Sequence, residues 1–144
     1  MVEDSFDKWN KQKKHIDKKN IKTIFKQREI YWASIGKNIG FEQNGKNQNF
    51  TRPILVFRKF SKNSFLGIPL TTTIKNDDFH FCFNFLEDKQ SCASLSQIRL
   101  FDSKRLHKKI GKISINDFED LKNKLNKLLF PPKNGGIPDN QAML

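Results

Sequence analysis

No run of apolar residues in this chain approaches the roughly 18–20 needed to span a bilayer, and Met1-Val2-Glu3-Asp4-Ser5 lacks a basic-then-apolar leader. The protein is therefore expected to be cytoplasmic and to have no membrane partner. Cysteine is scarce. Cys82 and Cys92 are the only two, and in a reducing compartment they are expected as free thiols packed like small hydrophobes, with no disulfide and no redox role. Histidine is nearly as rare: His15, His80 and His107 have no ligand-like spacing to one another or to the cysteines. Neither a Gly-Lys-Ser/Thr phosphate loop nor a Ser/His/Asp signature occurs, so no metal and no cofactor is implied. Acidic residues are also in deficit, 15 against 27 basic, for a net charge of +12 and a pI near 9.8. Such an excess points to a polyanionic partner or substrate, although a merely solvated surface would look the same. It sits at the two ends: residues 1–28 and 104–127 are each net +5, while residues 29–103 are net +2.

At 144 residues the chain suits one domain with appendages. Asp4 or Ser5 is a suitable N-cap, and Phe6, Trp9 and Ile16 recur at helical spacing among Lys8, Lys11, Lys13 and Lys14. This predicts a basic amphipathic helix ending near Asn20, then a short turn through Ile21, Ile24 and Phe25. Packing on the outside of the domain is its favoured use, with gripping RNA or a protein partner as the alternative. Strands are predicted at Glu29–Ile35, Pro53–Lys59 and Ser64–Leu70, with a turn at Ser61-Lys62-Asn63. Phe79, Phe81, Phe83 and Phe85 alternate with His80, Cys82 and Asn84, a period of 2 that marks one buried face; core packing is favoured over a platform for stacking bases. One further strand is predicted over Ser91–Leu100 and a last one over Lys108–Ile113. Ser114 to Asp117 reads as a capping box for a helix lined by Ile115, Phe118, Leu121, Leu125, Leu128 and Leu129 and stopped by Pro131-Pro132. Short strands at this spacing predict a small all-β barrel, whose closure removes exposed edges.

Between the first two strands lies a long polar stretch, Gly36 to Arg52, beyond the roughly 12–15 residues at which a structureless loop needs a functional reason. Arg28-Glu29-Ile30-Tyr31-Trp32, Gly36-Lys37-Asn38-Ile39-Gly40-Phe41-Glu42-Gln43-Asn44-Gly45 and Arg52-Pro53-Ile54-Leu55-Val56 together resemble the MazF/PemK toxins of bacterial toxin–antitoxin modules. Ile68-Pro69-Leu70-Thr71-Thr72 and the segment Leu95 to Leu106 resemble that family's other two marked segments, in the right order. The resemblance covers Arg28 to about Leu129. It implies a mainly β, small SH3-like barrel of the toxin type with a C-terminal helix, to which this chain adds its N-terminal basic helix. The expected organisation is a helical extension over 1–27, the barrel domain over 28–130 and a flexible tail over 131–144.

The same resemblance implies a homodimeric, sequence-specific, metal-independent endoribonuclease that cleaves single-stranded RNA, chiefly mRNA, and is held in check by a cognate antitoxin. In the family an arginine directly before Pro and a threonine or serine after Pro-Leu-like residues form the catalytic pair, which on this chain are Arg52 and Thr71. Positions near bound RNA carry over to Glu42, Gln43, Asn44, Thr72, Ser96, Gln97 and Arg99. Ser96 stands where the family commonly has an acidic residue before Gln97, and Glu42 is the nearest candidate for that carboxylate. The rival of another class is a non-catalytic nucleic-acid binder or a gyrase-poisoning toxin of the same fold; the Gln-Ala-Met-Leu chain end and the Arg52 and Thr71 positions favour the nuclease.

Overall fold

The computed structural model describes residues 3–20 and 23–133. A helix, α1 (Ser5–Asp17), is followed by strands β1 (Glu29–Ser34), β2 (Thr51–Lys59), β3 (Ser64–Thr71), β4 (His80–Leu86), β5 (Lys89–Ser94), β6 (Arg99–Asp102) and β7 (Leu106–Lys112), and the chain closes with α2 (Ile115–Leu129). All strand pairs are antiparallel, in the order β4-β5-β3-β2-β1-β7, with β6 also paired to β3. The sheet curls until Phe85 of β4 lies against Gly111 of β7, the opposite end of that order. The result is the expected mainly β, half-closed barrel with a helix at each end of the chain.

Strand alternation sends neighbouring residues to opposite faces, and here both faces are covered. Ile30, Leu55, Ile68, Leu70, Phe83 and Leu95 form one core with Phe118, Leu121 and Leu125 of α2. Tyr31, Ala33, Ile54, Val56, Phe65 and Phe101 form a second core with Phe25 and Leu106 on the other face. Burying each large side chain of α2 contributes roughly 1.5–3 kcal/mol, so that helix closes the barrel. Its N-terminus is capped by Ser114, whose Oγ accepts from the Asp117 amide at 3.1 Å. Asp4 caps α1 in the same way through the Phe6 amide. Phe81, Phe83 and Phe85 belong to the first core, as their alternation predicts, whereas Phe79 of the same predicted face precedes β4 and is exposed. Among the described residues no helix is long and apolar enough to cross a membrane.

Two expectations are corrected. The single strand predicted over Ser91–Leu100 is broken by a short 3-10 turn at Leu95–Gln97. The cause is tertiary: β3 has two partners along one edge, β5 opposite Leu70 and Thr71 and β6 opposite Ser64 to Gly67, and the chain must step from one to the other. The cysteines are not free. Cys82 and Cys92 face each other directly in the β4–β5 hairpin and form a disulfide, with Cα atoms 3.9 Å apart; hairpin register, rather than compartment, brings them together. Ile21 of the predicted turn, and the predicted flexible tail from residue 134 onward, lie outside the described residues.

Candidate functional site

Arg52 stands at the start of β2, where the long loop re-enters the sheet. Its guanidinium is half-buried and tethered on several sides. Nε donates to the Asn44 carbonyl, and Nη1 reaches the Leu70 carbonyl at 3.4 Å. In the orientation that satisfies both groups, the Gln43 side-chain oxygen accepts from Arg52 Nη2 at 2.7 Å. Burial pulls the Arg52 pKa below its ordinary value, yet a guanidinium keeps its charge at neutral pH. None of the ion pairs among the described residues involves Arg52. Among the described residues the cation is thus positioned by neutral groups and not neutralised by a carboxylate.

Around it lies a cleft of about 230 Å³ lined by Trp32, Lys46, Asn47, Thr51, Leu70, Thr71, Thr72 and Ser91. Thr71 ends β3, and its Oγ1 accepts from the Thr73 amide at 3.2 Å. That bond uses an acceptor site of the hydroxyl and leaves its proton available for donation. Lys46 brings a second cation to the same cleft and is held by a two-bond bridge to Thr51, with N···O distances of 2.8 and 3.0 Å. Sequence reading passed over Lys46 and Trp32. Trp32 is 39% exposed although its strand neighbours Tyr31 and Ala33 are buried, and a large aromatic turned outward between buried residues is the signal that could have marked it.

Of the remaining predicted residues, Glu42, Gln43, Ser96, Gln97 and Arg99 line a second cleft of about 490 Å³, joined by Asn38 and Ile98, while Asn44 lines neither cleft. Gln43 belongs to this cleft while bonding Arg52 of the first, so one side chain forms the partition between them. Ser96 and Arg99 are exposed here, and the Arg99 guanidinium lies 4.7 Å from the centroid of the Phe101 ring. Glu42, the nearest candidate for the family's carboxylate, lines this cleft and not the one around Arg52, and its Oε1 accepts from the Ile39 amide at 3.0 Å. Gln97 is committed to the loop: Oε1 accepts from the Gln43 amide at 2.9 Å and Nε2 donates to the Phe41 carbonyl at 2.8 Å. Asn44 is also internal to the loop, its side chain accepting from the Asn38 amide at 2.6 Å. The structure therefore divides the predicted set between two clefts and makes Gln97 and Asn44 supports of the loop that separates them.

A separate polar contact, Ser34 Oγ with His107 Nε2, is no nucleophile pair. Ser34 is fully buried. Burial, and then the nearby Lys19, push the His107 pKa down.

No curated protein matches the sequence. Among solved structures, the fold is similar to that of MazF (Form-I) from Deinococcus radiodurans, with a TM-score of 0.61 at 18% identity, covering 74% of this chain and 97% of that one. The Mycobacterium tuberculosis toxin MazF-mt6 gives a TM-score of 0.55 at 16% identity over 71% of this chain and 96% of that one. An endoribonuclease in complex with its cognate antitoxin, from a mycobacterial species, gives 0.58 at 12% identity over 75% and 97%. The family model for the PemK-like, MazF-like toxin of type II toxin-antitoxin systems matches residues 26–129. That span takes in every strand, both clefts and α2, and the chain belongs to this toxin family.

Proposed function

We propose that the protein is a sequence-selective, metal-independent endoribonuclease of single-stranded RNA, chiefly mRNA, acting in the cytoplasm as a homodimer and inhibited by a cognate antitoxin. The observation that carries this reading is Arg52, an unneutralised guanidinium fixed by Gln43, Asn44 and Leu70 beside Thr71 and Lys46. RNA brings its own nucleophile. Its 2′-hydroxyl attacks the adjacent phosphorus, the 5′-oxygen leaves, and the fragments end in a 2′,3′-cyclic phosphate and a 5′-hydroxyl. The protein has to hold the attacking and leaving oxygens in line and stabilise charge on the phosphorane between them.

Arg52 suits the second task because its forked donors match two phosphate oxygens and its tethers are already made before substrate arrives. Thr71 supplies a hydroxyl donor and Lys46 a point charge to the same oxygens. The second cleft, with Glu42, Ser96 and Arg99, is assigned to the unstacked bases beside the scissile phosphate, whose edges such groups contact. Thr72, at the exposed margin of the first cleft, is assigned to the backbone of the bound strand. Antitoxin binding to one of the structural relatives supports a protein inhibitor here, and a surface at +12 would attract an acidic segment by the same field that attracts phosphate.

Incubating the purified protein with a long mRNA in EDTA tests the proposal. Discrete fragments with 5′-hydroxyl ends are expected. Loss of all cutting in EDTA, with rescue by Mg²⁺, would overturn the metal-independent reaction.

A further inference from the structure

The N-terminal helix lies outside the matched family span, and its lysines suggest a polyanion grip. Its contacts point elsewhere. Trp9 is buried against the long loop, its indole filling the space beside Gly36, where any Cβ would overlap it and where φ is +90°. Its ring centroid lies 5.6 Å from that of Phe50. Gln12 Nε2 donates to the Asn49 carbonyl at 3.0 Å, and Lys37 Nζ sits 5.7 Å from the centroid of the Phe6 ring. The helix therefore touches both the entry of the loop, Gly36 and Lys37, and its exit, Asn49 and Phe50. Those two ends are bonded to each other: the Ile35 and Gly36 amides donate to the Phe50 carbonyl at 3.0 and 3.1 Å.

No residue of α1 lines either cleft. A third hollow, of about 360 Å³, does lie between α1 and Lys104 and Arg105, with Lys13 and Lys14 on its rim. Its inner cations are engaged, however: Lys104 Nζ donates to the Asp17 carbonyl and Arg105 Nη1 to the Ser34 carbonyl, at 3.0 and 3.1 Å. Asp17 and Asp102 also line the hollow and would oppose a phosphate. The helix meets the loop that builds the partition and contributes nothing directly to either cleft.

We infer that α1 is a positioning element: through Trp9 it clamps the base of the loop, so that Gln43 and Glu42 are presented to RNA in one arrangement. The inference rests on the proposed RNA cleavage. A ligand's apparent affinity falls in proportion to the fraction of molecules in the competent arrangement, and an unclamped polar loop with few packed side chains has many arrangements to visit. Trp9 touches neither cleft and acts only through the loop, which carries Gln43 and Glu42 of the second cleft as well as Lys46 and the Asn44 and Gln43 tethers of Arg52.

Hydrogen exchange and steady-state cleavage of a short RNA, both on the full chain, test this. In Trp9→Ala the amides of Gly36, Gly45, Lys46 and Thr51, all bonded within the loop base, should lose protection by about tenfold, while those of Leu95 and Ile113 keep theirs. KM should rise about tenfold, with kcat falling less than in Arg52→Ala, because the loosened loop also carries Lys46 and two tethers of Arg52. Trp9→Phe should restore most of both, and the Lys13→Ala/Lys14→Ala double variant should leave KM and its salt dependence nearly unchanged. If Trp9→Ala does not fold, Gln12→Ala, which removes one exposed bond, should loosen the same amides. Unchanged loop protection in a folded variant overturns the clamp. So does a lysine double variant that raises KM and flattens the salt slope while Trp9→Ala does neither, since the helix would then grip RNA directly. Failure of the unmodified protein to cut RNA would count against the nuclease reading alone, because the exchange measurement still decides the clamp.

Discussion

The two clefts differ in how their polar groups are held. Around Arg52 the two central side chains are half-buried and braced, the guanidinium to two loop residues and a strand carbonyl and Thr71 to the Thr73 amide, while Lys46 is exposed with only its backbone bridged to Thr51. In the larger cleft Ser96, in the middle of the 3-10 turn, and Arg99, at the start of β6, are exposed side chains. Braced donors are suited to a charge that appears at one place in the transition state, whereas exposed side chains can re-aim to meet a base edge. On the proposed function, the first cleft sets the rate of cutting and the second sets where cutting occurs, with Gln43 between them.

Substitutions can break or sharpen this division. The largest effect is expected for Arg52→Ala, which should slow cutting by roughly 10²–10³ at every site alike, with the fold retained by circular dichroism. Thr71→Ala should act in the same direction. Arg52→Lys makes a subtler point. The same half-burial that lowers the Arg52 pKa would lower that of a lysine, whose ordinary pKa is far closer to the working range. The charged form is lost as pH rises, so Arg52→Lys should lose activity at a lower pH than the unmodified protein does. Lys46→Ala, removing one exchangeable charge contact, should reduce cleavage by about tenfold, corresponding to a charge-assisted bond of about 1.5 kcal/mol. The smallest change in rate is expected for Ser96→Ala, within about threefold overall for a net bond of about 0.5 kcal/mol, but with the relative use of cutting sites redistributed in a fragment map. A uniform slowing by Ser96→Ala, or a site-dependent one by Arg52→Ala, would blur the division.

Much of the fold was legible because β1 to β3, buried on both faces, are rich in β-branched and aromatic residues and the turns carry their own punctuation. The Phe81-Cys82-Phe83-Asn84-Phe85 alternation identified β4, and Ser114 announced α2. What escaped was tertiary. Ser91 through Leu100 reads as one strand because nothing local says that β3 will take two partners on the same edge. Hairpin register put Cys82 opposite Cys92, a relation hidden while the two were judged by compartment. The family motifs marked Arg52 and Thr71, and the structure places both in one cleft. Gln97 carries over from the family motif as an RNA-facing position, and only the fold shows both ends of its amide bonded to loop backbone more than fifty residues away in sequence. Lys46 carried no motif, and only the fold brings it beside Arg52.

The central claim is that the cleft around Arg52 and Thr71 drives attack by the RNA's own 2′-hydroxyl. It is tested most directly with an oligonucleotide carrying a mapped cutting site, compared with the same strand bearing a single 2′-deoxy nucleotide immediately 5′ to the scissile phosphate. The modified strand should bind with nearly the same affinity, resist cutting at that phosphate, and leave cutting elsewhere intact. Cleavage of the 2′-deoxy site at a comparable rate would require a nucleophile supplied by protein or water, and would contradict the mechanism.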